Sequence, residues 1–404
     1  MNKITRLTCF LSSSLLSASA ATFTVTPNVV SNDYPGRVTF QMNGLSPGET
    51  VQVVQFYDFN GNGVVDGPDL AVRGETVTDG QPNLVNGATN LNVFRDEDAL
   101  ANGAIAASYQ FAFAPFGGRG VGSYILRCSS PSNHFTATNL LFTVASAAYA
   151  QTVHGTVTNN GTNVPYALVG LGVPGGNSQF IVGGAADATG HYTLKSPVGT
   201  YLAVAFQSGY VGNFLSFPLV VLTPNATVTA DIPLIVATSS ISGAVVDSTN
   251  AAWHAVPYAE ASLTTPDGFV TATICDSNGS FSVPIIPGFW VVHVLAQSAA
   301  SQSYLLPGVF TEVTYDASAG PVSNVTVALK RATALINGQT LDNHSNAIPG
   351  ISISASADGG QFAAFVLSDV SGRYSLAIEA GGGFLEVQEL TFPPANNYLW
   401  TGKF

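Results

Sequence analysis

The residues best placed to do chemistry lie in one twelve-residue stretch, Asp58-Phe-Asn60-Gly-Asn62-Gly63-Val64-Val-Asp66-Gly-Pro-Asp69. With Asp58 as position 1, oxygen-bearing side chains fall at positions 1, 3, 5, 9 and 12, a glycine at 6 and a backbone carbonyl, that of Val64, at 7. Three carboxylates and two amides in that order suit a hard, oxygen-seeking cation, and the spacing is one in which a chain wraps calcium. Asp58, Asn60, Asn62, Val64, Asp66 and Asp69 are therefore the candidate Ca2+ ligands; the alternative is a metal-free, Asn-Gly-rich hairpin loop. A second acidic run, Asp96-Glu97-Asp98, is expected to be solvated.

Other chemistries are poorly represented. The chain has no His-Glu-x-x-His and no paired carboxylates in a cleft-forming context. Its six histidines (His134, His154, His191, His254, His293, His344) form no i, i+2 or i, i+4 pair that could grip zinc. These absences point away from an enzyme. Sugar rings stack on exposed aromatic faces, and Trp253, Tyr258, Tyr210, Tyr304, Tyr398 and Trp400 fall in loops or at strand ends, whereas Trp290 is expected in a core.

The elements that must position these groups are strands. Only 9% of residues are charged, glycine numbers 41, and Val, Thr, Phe and Tyr form short alternating runs between Gly, Asn, Asp and Pro clusters. That pattern predicts an all-β protein with few, short helices. Phe23 to Thr26, Arg37 to Met42, Val51 to Tyr57, Ser123 to Arg127 and Leu140 to Val144 read as strands of an immunoglobulin-like sandwich over residues 22–146. Val51 to Tyr57 and Leu70 to Val77 flank the calcium-type stretch, which places residues 58–69 at a hairpin tip. Ala145 to Ala150 reads as a linker.

Beyond the linker one signature recurs three times: Asp187-Ala-Thr-Gly190-His-Tyr192-Thr-Leu194, Asp276-Ser-Asn-Gly279-Ser-Phe281-Ser-Val283 and Asp369-Val-Ser-Gly372-Arg-Tyr374-Ser-Leu376. The aspartates stand 89 and 93 residues apart, one small β-domain per period. Upstream of each lies a glycine in a first strand and then a proline: Gly155 and Pro165, Gly243 and Pro257, Gly338 and Pro349. In each turn the aspartate is expected to accept backbone N–H bonds while the glycine takes a positive φ and the aromatic enters the core. The predicted domains are 151–236, 239–331 and 333–404. The third spans only 35 residues from Asp369 to Phe404, against 48 from Asp187 to Ile235 and 54 from Asp276 to Lys330, so its last strand is expected to be missing.

These repeats resemble the carboxypeptidase regulatory-like domain, a transthyretin-like β-sandwich found as tandem modules in exported bacterial proteins. The resemblance implies a tandem array of Ig-like and transthyretin-like β-sandwiches with a role in display or binding; the catalytic zinc domain of carboxypeptidases has no counterpart here. The calcium-type stretch is similar to EF-hand and dockerin loops, although strands rather than helices flank it, and cohesin binding would need a second loop–helix repeat that is absent. Related Cna-type modules lock themselves with a lysine isopeptide bond. Lys195, Lys330 and Lys403 all lie outside the first strands, so no such cross-link is expected.

Residues 1–20 carry Lys3 and Arg6, an apolar stretch and Ala18-Ser19-Ala20, which reads as a signal peptide. Its removal leaves 10 basic residues against 24 acidic ones, net −14, and an exported, extracellular or cell-surface chain that is a poor partner for nucleic acid. No later apolar run is long enough to span a membrane as a helix. Cys128 and Cys275 are expected as buried free thiols, a disulfide across two domains being the alternative. The functional expectation is a non-catalytic array serving as a surface spacer and as an adhesion or carbohydrate-binding protein, with an extracellular polysaccharide or surface protein as partner. The alternative is the accessory front part of a larger secreted hydrolase continuing past Phe404.

Overall fold

The computed structural model describes residues 20–174, 180–307, 313–357, 362–381 and 383–388. The signal-peptide reading, Tyr398, Trp400 and Lys403 lie outside these residues, as does the stretch on which a last strand of the third repeat would fall. The fold is all-β, with tandem β-sandwiches and, among the described residues, a single short α-helix, Ala296–Ala300.

In the N-terminal sandwich, Thr22–Thr26, Arg37–Asn43 and Ala104–Gln110 form one antiparallel sheet. The other runs Val29–Ser31, Thr138–Ala145, Gly122–Ser129, Thr50–Tyr57, Leu70–Thr78. Period-two alternation sets the inner face: Val51, Val53, Gln55 and Tyr57 are buried while their neighbours are half-exposed. Phe40, Met42, Ile105, Tyr124 and Phe142 fill the space between the sheets.

The repeats share one topology. The first strand (Gln151–Asn159, Ser239–Asp247, Ala334–Gln339) pairs antiparallel with the strand after the Asp-x-x-Gly turn (His191–Ser196, Ser280–Ile285, Arg373–Ile378). In the first two repeats it also pairs in parallel with late strands, Thr227–Thr229 and Ile232–Pro233 or Val322–Arg331. That parallel contact explains the first-strand glycine: a Cβ on Gly155 would lie 2.0 Å from the Ala230 carbonyl oxygen, and one on Gly243 would lie 2.0 Å from that of Val325. Trp290 is fully buried, as expected, with Nε1 donating to the Ile286 carbonyl at 2.9 Å.

The predicted modules are not independent of one another, because sheets run across their borders. Tyr210–Asn213 of the first repeat pairs with Phe269–Ile274 of the second (Gly212 with Val270, Asn213 with Phe269). Tyr304–Pro307 of the second pairs with Phe362–Leu367 of the third. The cores interlock too, Val211 packing in the second core and Val270 in the first. Pairing with a neighbour covers edge N–H and C=O groups that an isolated sandwich leaves bare.

The N-terminal sandwich contacts all three repeats. Val121 N donates to Gly183 O at 2.7 Å, and Phe59 meets Tyr166 at a centroid distance of 5.4 Å. Gly74 faces the ring of Tyr258 so closely that a Cβ would fall 2.4 Å from it. Toward the third repeat, Asn92 Nδ2 donates to Ser375 O (2.6 Å), Gln110 Nε2 donates to Ser368 O (3.1 Å) and Phe113 stacks on Phe365. The stretch read as a linker is itself docked: Ala147 is buried, its N–H bonded to Asn32 Oδ1, and Tyr149 packs on the first repeat's core.

Candidate functional site

Residues 58–69 occupy the tip between Thr50–Tyr57 and Leu70–Thr78, the hairpin position predicted from sequence. Asp58 is buried and its carboxylate accepts the N–H of Asn62 (3.2 Å) and Gly63 (2.9 Å). Asp69 accepts from Phe59 N (3.3 Å) and Asp66 N (2.9 Å). Exposed Asp66 receives the amide groups of Asn60 (3.0 Å) and Asn62 (2.6 Å), while the Oδ1 atoms of those amides accept from Asn62 N and Val64 N. The donor types fit a hard cation. The side chains are nonetheless arranged for hydrogen bonding: calcium would displace two amide N–H groups from Asp66, and among the described residues no three His, Cys, Asp or Glu side chains are gathered as a metal site.

Asp96 departs from the solvated run expected of it. It is fully buried, its carboxylate accepting from Gly80 N (2.8 Å) and Ala106 N (3.3 Å), and burial pushes its pKa up. Glu97 and Asp98 are exposed, Glu97 pairing with Arg37 at 3.6 Å. Asp96 thus braces the loops of its domain, as does neighbouring Asp79, which accepts from Gly48 N and Gly103 N.

The three signature aspartates do what turn chemistry predicts. Asp187, Asp276 and Asp369 each direct Oδ1 at the N–H groups two and four residues on, at 2.7–3.1 Å. Gly190, Gly279 and Gly372 sit at φ +81, +70 and +71. Each of these glycines also accepts a first-repeat-strand or neighbouring N–H: Val157, Val245 and Thr340 donate to the three glycine carbonyls. One further regularity escaped the sequence reading. Tyr166, Tyr258 and Gly350, each following the marked proline, all take positive φ, and the glycine in the third repeat was the available signal.

Among the described aromatics offered for sugar stacking, exposure differs, Tyr210 being half-buried. Trp253 is 60% exposed, but Tyr258 and Tyr304 are buried, which corrects their assignment to exposed positions. Tyr304 belongs to a cluster in which Arg331 donates to Asp247 (2.6 Å) and to the Tyr304 hydroxyl (2.8 Å). Although burial works against it, hydrogen bonds from Thr249 and Arg331 hold the Asp247 carboxyl below its ordinary pKa. The histidines are dispersed: His154, His191 and His293 each bond a threonine hydroxyl, and His134 bonds Glu49. Cys128 and Cys275 are free, in separate cores, with burial pushing both thiols up to about 12.

Several buried or half-buried charges gave no sequence signal. Arg73 and Glu75 form an ion pair at 2.8 Å inside the N-terminal sandwich, the guanidinium 3.6 Å from the Tyr109 ring centroid. Arg119 donates to the Phe180 carbonyl, and Glu260 lies at the meeting of three modules. In a single sequence such residues look like any surface charge.

No protein-family model matches the chain, and no curated protein does. Solved structures to which it is similar include the Bacillus anthracis TIE protein (10% identity, 91% of this chain and 69% of that one, TM-score 0.21). A Streptococcal ancillary pilin (11% identity, 60% and 90%, TM-score 0.21) and GBS52, the minor pilin of Streptococcus agalactiae (13% identity, 46% and 97%, TM-score 0.20), are also similar.

Proposed function

We propose that the chain is an exported, non-catalytic cell-surface protein whose joined β-sandwiches form a platform for adhesion, with an extracellular polysaccharide or a surface protein as its partner. The observation that carries this reading is the continuity of sheets across module borders, at Gly212–Val270 and Leu306–Ala363, together with the docking of the N-terminal sandwich on every repeat. Hydrogen-bonded edges and interlocked cores resist relative motion of the modules. They suit holding and presenting, and they favour a folded-back platform over an extended spacer. Within it, the side chains of Asp58, Asn60, Asn62, Asp66 and Asp69 and the carbonyl of Val64 would hold Ca2+, whose charge would offset the three carboxylates and stiffen the tip.

Small-angle scattering tests the platform. A compact chain of this length has a radius of gyration of about 21 Å, whereas four beads end to end would have roughly 38 Å by the same scaling of module size; a value in the upper range rules the platform out. Retention on insoluble glycans, lost on Trp253→Ala, tests the carbohydrate reading, and uniform absence of retention leaves a protein partner. Calcium titration of the metal-stripped chain should give heat that Asp58→Ala removes; no heat at millimolar calcium discards the site.

A further inference from the structure

Where the N-terminal sandwich and the first two repeats meet, they form a cavity of about 160 Å³ that is partly open to solvent. Its walls are mainly apolar: Leu70 and Val72 from the N-terminal sandwich, Leu168, Phe206 and Phe214 from the first repeat, and Val270 from the second. The size is close to that of a protein cavity that holds benzene, about 150 Å³.

Glu260 opens the Glu260–Thr264 strand and reaches this cavity from the second repeat. The residue is half-buried; its backbone N–H is taken by Ser298 Oγ at 2.9 Å, and one carboxyl oxygen, Oε2, is shut off from solvent without a hydrogen-bond partner. The charged groups around it do not compensate it. Arg119, on the cavity wall, is engaged by the Phe180 carbonyl, and Arg73, which shares a narrow gap with Glu260, is paired with Glu75. Burial is the sole cause acting on the carboxyl, and it pushes the pKa up to about 8. A carboxyl held beside an apolar chamber with no counter-charge is costly to ionise, and a cation delivered into the chamber would remove that cost.

We propose that this cavity binds a small primary amine with a single-ring or short-chain apolar body, its ammonium set against the Glu260 carboxylate and its body among Val72, Leu168 and Phe206. A neutral molecule of the same shape would fill the space and leave Glu260 uncompensated. An anion would meet that carboxylate directly. Because free Glu260 must give up its proton to pair with an ammonium, affinity rises with pH, about tenfold per unit below pH 8, and levels off above it.

Calorimetric titration of the full chain with 2-phenylethylamine, 2-phenylethanol and 3-phenylpropionate tests the site. The amine should bind at least tenfold tighter than the alcohol at pH 8, and about tenfold tighter at pH 7 than at pH 6. Glu260→Gln should erase both the preference and the pH dependence, and Ala272→Phe, which fills the chamber, should abolish binding of all three. Binding of the alcohol or the acid as tight as that of the amine, amine binding unchanged in Glu260→Gln, or no amine binding at 10 mM would each overturn the proposal.

Discussion

Gly243→Ala is the sharpest test of how the repeats are built. A methyl at this position would stand 2.0 Å from Val325 O, 2.7 Å from Val325 C and 2.8 Å from Val325 Cβ, and two of these atoms are backbone. To reach ordinary contact, the parallel strands Ser239–Asp247 and Val322–Arg331 must part by more than about 1 Å, which lengthens the flanking N–H···O bonds beyond useful range. Losing about two such bonds costs roughly 1 kcal/mol each, and the overpacking itself adds about 1–3 kcal/mol. The expected destabilisation is about 3 kcal/mol or more, a fall of roughly 12–24 °C in the transition of this module. The chain has three tryptophans. In a Trp253→Phe, Trp400→Phe background, fully buried Trp290 reports the second core alone through its emission shift on heating or in urea. Gly67, with nothing within 4 Å and no positive φ, supplies the control, and Gly67→Ala should change little. A Gly243→Ala midpoint within about 0.5 kcal/mol of the background would refute the close-approach account of the repeated glycine.

Asp276→Ala removes the acceptor for Asn278 N and Ser280 N in an exposed turn, so a loss of about 1 kcal/mol is expected in chemical denaturation, comparable with loss of a helix cap. In a Cys9→Ser chain, neither Cys128 nor Cys275 should react with a thiol reagent until the protein unfolds, since both are buried and hard to ionise. Glu260 holds its proton in the fold up to about pH 8 but releases it near 4.5 when unfolded, so stability should fall as pH rises between those values and level off above; Glu260→Gln should flatten that slope in urea titrations. Asp247 has the opposite sign: its contribution is present above its ordinary pKa and disappears as pH falls through the lowered one, a loss that Asp247→Asn should abolish in acid unfolding curves.

What the sequence determined by itself was local. Turn chemistry reads out over four or five residues, and so the Asp-x-x-Gly turns, the hairpin position of residues 58–69 and the burial of Trp290 were legible in spacing alone. The repeated first-strand glycines were visible as a pattern, but their cause was hidden. It lies in Ala230 and Val325, 75 and 82 residues downstream of Gly155 and Gly243. The same limit applied to Tyr258 and Tyr304, whose place in loops or at strand ends suggested exposure while a facing module or an Arg331–Asp247 pair covers them.

Only the tertiary structure decided how the modules join. A strand edge carries the same N–H and C=O groups whatever its side chains, so nothing in Tyr210–Asn213 or Tyr304–Pro307 announces that it continues into the next repeat. Glu260 became a distinctive group for the same reason: its environment is supplied by three modules, and burial by distant surfaces leaves no mark on the neighbouring residues of one chain.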